Sequence, residues 1–428
     1  MRVVSAQDVD AAGRELVVGP GDVVTPLARE RAAERSVRIV VRGAATGALP
    51  TGAGGSAAGA DHVGVDLAAG PPEDPGPPSG ALFRRGGPVP AAAAATGVRT
   101  LSPASSGGPG RAARVVVVGA GHVGTIAALR LAEADVVDEV VLTDVVEGLA
   151  AGIALDLAHT SALSGFRTRL RGVGRIEDAG PADYYVLTAG RPRSPGMSRT
   201  DLVATNAAIV DTVGRAIART SPAAVVVVVT NPLDEMTHQA WRSTGFPASR
   251  VLGMAGVLDT ARFRALTAVA AGTAPDEVDA VALGSHGEEM VLPLSRAAVA
   301  GRPLQERLPA STVDGLVERA RGSGAEIVAL LGTGSAFLAP GTSAAAMVLA
   351  MVRDQGEVLP AAVRADGAYG LRDVYIGLPA RLGRHGVREV VEVPLTTAER
   401  AALVDAAHRV RARVEALADV PADTFATG

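Results

Sequence analysis

Residues 115–118, 139–143, 184–188 and 225–229 are short runs dominated by apolar, mostly β-branched side chains without polar alternation, the pattern of strands buried on both faces. Each gives way to a segment with helical spacing. After the third run, Leu202, Ile209, Val213 and Ile217 lie close to one helical face, with Asp201 at the start and Arg219 near the end, charges that suit the helix dipole. Residues 149–163 read as a further helix. Strand followed by helix, repeated, predicts an α/β fold with a doubly wound parallel sheet, in which ligands bind beyond the carboxyl ends of the strands.

The pattern begins only near residue 111 of 428. Between residues 43 and 110 the chain has 16 Gly, 16 Ala and 10 Pro, so 42 of 68 positions offer almost no large apolar surface to offset chain entropy. This segment is expected to be a disordered, semi-extended linker. Ahead of it, residues 1–42 read as strands at 15–18 and 37–41 around a helix over 27–35, capped by Thr25 and started by Pro26. A piece of ~40 residues has a marginal core. It is expected either to dock on a partner or to be a vestigial or cleavable extension.

Charge and composition narrow the chemistry. A net charge of −4 lacks the positive excess that nucleic-acid or anionic-membrane binding requires. The first 16 residues carry Arg2, Asp8, Asp10, Arg14 and Glu15 and do not form a secretory signal. In the longest uncharged run, residues 335–352, Pro340, Gly341, Thr342 and Ser343 interrupt the apolar pattern, which predicts a buried core helix and no membrane span. With no cysteine there are no disulfides, thiolate metal sites or cysteine nucleophiles. All 41 basic residues are Arg, which excludes Schiff-base lysine chemistry.

Directly after the first strand stands Gly119-Ala120-Gly121-His122-Val123-Gly124. Gly fills 51 of 428 positions, so the bare pattern is weak and its context carries the weight. It follows a buried strand and opens a helix, and the second strand ends at Asp144, roughly 20 residues further on. Gly119, Gly121 and Gly124 would let backbone N–H groups approach a pyrophosphate at the helix N-terminus. Asp144 would accept the ribose hydroxyls and repel a 2′-phosphate, which favours NAD over NADP. The competing reading is a ligand-free glycine turn, and His122 reads as a solvated loop residue.

The chain continues with Thr188-Ala189-Gly190-Arg191-Pro192-Arg193-Ser194-Pro195-Gly196-Met197-Ser198-Arg199-Thr200-Asp201-Leu202, then Thr230-Asn231-Pro232-Leu233-Asp234, Gly256-Val257-Leu258-Asp259-Thr260-Ala261-Arg262-Phe263, Gly284-Ser285-His286-Gly287 and Gly334-Ser335-Ala336-Phe337. In this order and at these distances they resemble the lactate/malate dehydrogenase superfamily, and within it the lactate-dehydrogenase-like malate dehydrogenases. The resemblance spans about residues 114–417. It implies a Rossmann-type NAD-binding domain over 111–256, an α+β catalytic domain over 257–420, a homodimer or homotetramer, and NAD-dependent oxidation of malate to oxaloacetate. L-lactate or another 2-hydroxy acid is the alternative substrate.

Hydride transfer to and from a 2-hydroxy acid needs a base for the hydroxyl proton, a cation on the carbonyl and an anchor for the carboxylate. Of the 7 histidines, His286 alone sits between glycines in one of these motifs, so the resemblance makes it the base and Asp259 its partner. Arg262 would clamp the C1 carboxylate as a bidentate fork. Arg199, on a loop that closes, would polarise the C2 carbonyl. Arg193 occupies the position at which malate enzymes of the family meet the second carboxylate with Arg and lactate enzymes carry Gln. Arg191 competes for that role, but the ungapped run 192–197 assigns it to Arg193.

Asn231 and Ser335 are expected in the substrate pocket, and Asn206 and Asn231 at the cofactor. No metal is expected. Ser285 and Glu288-Glu289 depart from the family pattern and imply local repacking around His286. The stretch Val23-Val24-Thr25-Pro26-Leu27-Ala28-Arg29 weakly resembles targeting segments of bacterial microcompartment-associated enzymes. The protein is therefore expected in the cytoplasm, with such a compartment as one address and a shell or other protein as a partner of the N-terminal piece.

Overall fold

The computed structural model describes residues 3–4, 6–19, 22–24, 28, 31–32, 35, 37–41, 113–191, 199–287, 289–332 and 334–418. Contacts divide the chain into two units, Met1–Arg111 and Ala112–Gly428.

In the first unit, strand Glu15–Val18 pairs in parallel with Arg38–Val41, one residue short of the expected start. A second parallel pair, Val3–Val4 with Val23–Val24, and the helix Ala6–Ala11 were not legible, because two-residue strands carry no pattern. Val4, Val9, Val18, Ala28, Ala32 and Val37 bury together. Of the helix expected over 27–35, Ala28, Arg31 and Ala32 are helical. Its cap Thr25-Pro26 and the 43–110 linker lie outside the described residues.

The second unit opens with β1 (Arg114–Val118), α1 (His122–Glu133), β2 (Glu139–Thr143), α2 (Leu149–Ser164), β3 (Arg169–Val173), β4 (Tyr184–Leu187), α3 (Arg199–Thr220), β5 (Val225–Val228), α4 (Leu233–Thr244) and β6 (Val251–Gly253). The strands run parallel in the order β3-β2-β1-β4-β5-β6. Val115, Val117, Leu142, Val186 and Val227 enter the core on one face of the sheet, while Val116, Val118, Val141, Leu187 and Val228 enter the core on the other. Burial on both faces is why these strands read as unbroken apolar runs. The order reverses between β1 and β4, so the crevice for a ligand opens beyond their carboxyl ends.

The rest of the unit includes α5 (Gly256–Ala271), β7 (Leu283–Gly284), β8 (Met290–Val291), α6 (Ala310–Leu331), α7 (Leu338–Arg353), β9 (Val358–Asp366), β10 (Arg372–Gly383), β11 (Gly386–Val390) and α8 (Thr397–Ala418). The sheet does not stop at β6: Gly253 pairs antiparallel with Ala362 on β9, and β10, β7 and β8 follow, with β11 on β10, to give eleven strands. Antiparallel hairpins with helices packed beside them make this half α+β.

Pro340 and Gly341 lie inside α7 and do not interrupt it. Pro340 falls in the first turn, where the backbone N–H has no intrahelical acceptor to lose. A Cβ on Gly341 would stand 2.7 Å from the Val123 carbonyl and the Ile126 side chain, so α7 and α1 touch backbone to backbone. Among the described residues no helix is long and apolar enough to cross a membrane.

Candidate active site

The turn from β1 into α1 has the geometry its glycines allow. Gly119 adopts φ +104°, a conformation that strains any L side chain. Its neighbourhood is closed by the Thr188 hydroxyl, which donates to the carbonyls of Val118 at 2.9 Å and Gly119 at 3.1 Å. A Cβ on Gly124 would collide with the Gly119 carbonyl, whereas one on Gly121 would meet nothing within 4 Å. Gly121 is the N-cap of α1 and offers no side-chain acceptor to the first-turn N–H groups. Asp144, at the end of β2, accepts from the Ala120 N–H at 2.8 Å and the Val146 N–H at 2.9 Å. An uncapped helix N-terminus beside a carboxylate and an open glycine fits a dinucleotide: the pyrophosphate on the N–H groups, a ribose on the acid.

The exposed His122 ring lies 5.0 Å from that of Phe337. That contact brings Phe337, just ahead of α7, beside the glycine turn; Ser335, two positions earlier, is exposed.

After β4 the chain reaches Arg191, whose backbone is held by Asn206. Asn206 on α3, expected as a cofactor contact, is 2% exposed. Its Oδ1 accepts from the Arg191 N–H at 2.7 Å, and its Nδ2 donates to the Arg191 carbonyl at 3.2 Å and the Asn231 carbonyl at 2.7 Å. Both amide hydrogens are committed within the protein. Asn206 therefore ties Arg191 to Asn231 at the carboxyl end of β5, and its Oδ1 keeps a second lone pair for a further donor. Arg193, with the rest of 192–198, and the Arg199 side chain lie outside the described residues; Arg199 is the first residue of α3.

His286 and Asp259 come together. Asp259 stands in the first turn of α5, 2% exposed, and its Oδ2 lies 2.9 Å from His286 Nδ1. Its Oδ1 accepts from Arg262 at 3.3 Å, one turn along the same helix. The Thr260 hydroxyl accepts the Ala282 N–H at 2.9 Å and so anchors α5 to the strand leading to His286. Gly284 at φ +84° and Gly287 at φ +96° bend the chain on either side of the imidazole. Burial alone would lower the His286 pKa, but the Asp259 charge and hydrogen bond outweigh it and hold the imidazole above its usual value. One nitrogen of a basic imidazole is held by a carboxylate, and the other is left for a proton-transfer partner.

Behind the imidazole lies a polar line that sequence reasoning did not assemble. The Ser285 hydroxyl is 2.6 Å from Oδ2 of the buried Asp234 and accepts from Nη2 of Arg413 on α8 at 3.0 Å. Arg413 also donates to Glu235 at 2.7 Å and to Glu289 at 2.9 Å. Ser285 and Glu289 were expected to imply local repacking around His286, and these are the contacts they make. No local signal links Arg413 to Ser285, 128 positions earlier.

The sequence pattern of the lactate/malate dehydrogenase NAD-binding domain matches residues 113–253, and that of the α/β C-terminal domain matches residues 256–420. The chain is 48% identical over 303 residues to malate dehydrogenase from Synechocystis sp., covering 71% of this chain and 93% of that protein. It is 47% identical over 305 residues to malate dehydrogenase from Thermomicrobium roseum, covering 71% and 98%. Among solved structures, malate dehydrogenase from Salinibacter ruber superposes with a TM-score of 0.68 at 41% identity, covering 71% of this chain and 97% of that one. A lactate dehydrogenase from Cryptosporidium parvum complexed with lactic acid and NAD gives 0.70 at 32% identity, covering 73% and 100%.

Proposed function

The chain belongs to the lactate/malate dehydrogenase family, and we infer that it works as an NAD-dependent malate dehydrogenase, converting malate and NAD⁺ to oxaloacetate, NADH and a proton, and back. The observation that carries the reading is the His286–Asp259 pair with Arg262 on the same carboxylate. NAD, when bound, supplies the hydride acceptor for oxidation and, reduced, the donor for the return. Gly119, Gly121 and Gly124 with the N-terminus of α1 hold its pyrophosphate, and Asp144 its ribose.

In oxidation the free nitrogen of His286 takes the hydroxyl proton while Asp259 keeps Nδ1 protonated and stabilises the imidazolium. In reduction the same imidazolium returns the proton to the carbonyl oxygen. Arg262 holds the C1 carboxylate, and Arg199 stabilises the oxyanion that develops at C2. Arg193 meets the second carboxylate. Enclosing a methyl group there would leave a desolvated guanidinium unpaired, a penalty of several kcal/mol, or ~100-fold or more in discrimination. Asn231 and Ser335 line the pocket.

The test is NADH oxidation with oxaloacetate and pyruvate compared as kcat/KM. A preference for oxaloacetate of ~100-fold or more is expected. A preference for pyruvate would replace the reading with that of a lactate dehydrogenase.

For the assembly, the reading extends to a homodimer or homotetramer in the cytoplasm, with α2 and α3 as subunit faces. Leu155 and Leu163 on α2, 60% and 86% exposed, support this. The N-terminal unit is read as a docking module for a protein shell or other protein partner.

A further inference from the structure

The line behind His286 begins on the last helix. All three guanidinium nitrogens of Arg413 are engaged: Nε with Glu235, Nη1 with Glu289 and Nη2 with the Ser285 hydroxyl. Ser285 immediately precedes His286, and Glu289 follows it by three positions. Because the Ser285 oxygen accepts from Arg413, its single O–H is free to point at Asp234, which lies on α4 three positions after Asn231. Glu235 is almost wholly buried and Arg413 half-buried, so these are charge-assisted bonds largely shielded from water.

We propose that Arg413 is a positioning residue for His286: through Ser285 and Glu289 the C-terminal helix fixes the loop that carries the base, and Asp234 holds that loop from beneath. A loop framed by positive-φ glycines at 284 and 287 has little stiffness of its own, and a misplacement of the base by about 1 Å is enough to cost ~100-fold in rate. The position of the base thus depends on a residue from the far end of the catalytic unit.

The line is also electrically coupled to the base. Asp234 faces Ser285, Glu235, His286 and Arg413, and burial pushes its pKa up to about 7, against the opposing pull of Ser285, His286 and Arg413. One of its oxygens, Oδ1, is buried with no hydrogen-bond partner among the described residues. His286 in turn faces Asp259, Arg262 and Asp234, and the Asp234 charge raises its pKa. Removing Arg413 or the Ser285 hydroxyl makes Asp234 harder to ionise, so less negative charge supports the imidazolium. Loss of the Ser285 hydroxyl therefore lowers the His286 pKa, as does Asp234→Asn directly.

This inference rests on the malate dehydrogenase reading, and the experiment keeps the two apart. Arg413→Gln, Ser285→Ala, Asp234→Asn and the Arg413→Gln/Ser285→Ala double variant of the full chain are compared by kcat and KM for oxaloacetate across pH. The His286 resonance is followed by NMR of labelled histidine, assigned with His286→Asn. Expected are a fall of ~10-fold or more in kcat with KM little changed, a downward move of the pH limb due to the base and of the NMR midpoint in Ser285→Ala and Asp234→Asn, and losses in the double variant that do not multiply. Folded variants with unchanged kcat and unchanged titration, or losses that multiply, overturn the proposal. Arg413→Gln leaves Glu235 buried without its cation, so if that variant does not fold, Ser285→Ala and Asp234→Asn decide. If the unaltered chain turned over neither oxo acid but its His286 midpoint still moved in the variants, the reaction would be misassigned and the positioning role would stand.

Discussion

His286 and Asp259, 27 positions apart, share a hydrogen bond of 2.9 Å between Nδ1 and Oδ2, and this bond sets the direction of the enzyme's pH dependence. The imidazole pKa is raised in the folded protein. Oxaloacetate reduction requires the imidazolium, so its rate is sustained below that raised pKa and falls as pH rises through it. Malate oxidation requires the neutral base and runs the opposite way. Asp259→Asn removes the charge and the preference for one tautomer. It should lower kcat/KM by ~100-fold or more and make the reduction rate fall at a lower pH than in the unaltered enzyme. A pH profile in both directions checks this, and an unmoved limb would mean that Asp259 does not set the His286 pKa.

The two glycines of the turn make opposite demands. At Gly124 an added methyl group collides with the Gly119 carbonyl, a rigid backbone atom. Gly124→Ala should therefore destabilise the fold by ~1–3 kcal/mol as well as weaken NADH binding. At Gly121 the same methyl meets only open space and the backbone is already extended, φ −72° and ψ −174°. Gly121→Ala should leave Tm near that of the unaltered protein and weaken NADH binding alone, because the methyl stands where the pyrophosphate approaches. Thermal melts with and without NADH separate the two cases; equal losses of Tm would refute the distinction.

Substrate choice is assigned to Arg193. Arg193→Gln removes the cation proposed to meet the distal carboxylate while keeping a polar side chain of similar reach. The kcat/KM for oxaloacetate should fall by ~100-fold or more, with pyruvate unchanged or improved. A variant that still prefers oxaloacetate by the original ratio would move the role to Arg191.

The parallel half of the fold could be read from the chain because its strands are buried on both faces: nothing but apolar side chains suits Val115 to Val118 when alternate residues enter different cores. The glycine turn could be read for a related reason, since a helix start directly after such a strand leaves few uses for Gly at those positions. The His286–Asp259 pair needed the family resemblance, because no periodicity joins residues on α5 and the loop after β7. That Asn206 braces Arg191 and Asn231 was not legible, because sequence does not tell which backbone groups a helical amide reaches. Arg413 is one of 41 arginines in the chain, and only the packing of α8 brings it to Ser285.

The relatives define the last prediction. The Synechocystis protein is matched over 93% of its length by only 71% of this chain, so the body alone accounts for almost all of a complete relative. The first unit has its own small core of Val4, Val9, Val18, Ala28, Ala32 and Val37, and every residue assigned to chemistry lies beyond residue 112. Deleting residues 1–110 should therefore leave kcat and KM for oxaloacetate unchanged while abolishing co-sedimentation with whatever protein assembly the unit docks on. The measurement is steady-state kinetics of the truncated and full chains, paired with sedimentation of both from native cell extract. Lost turnover in a folded truncation would make the first unit an integral part of the enzyme. Unchanged turnover with unchanged sedimentation would remove the docking role.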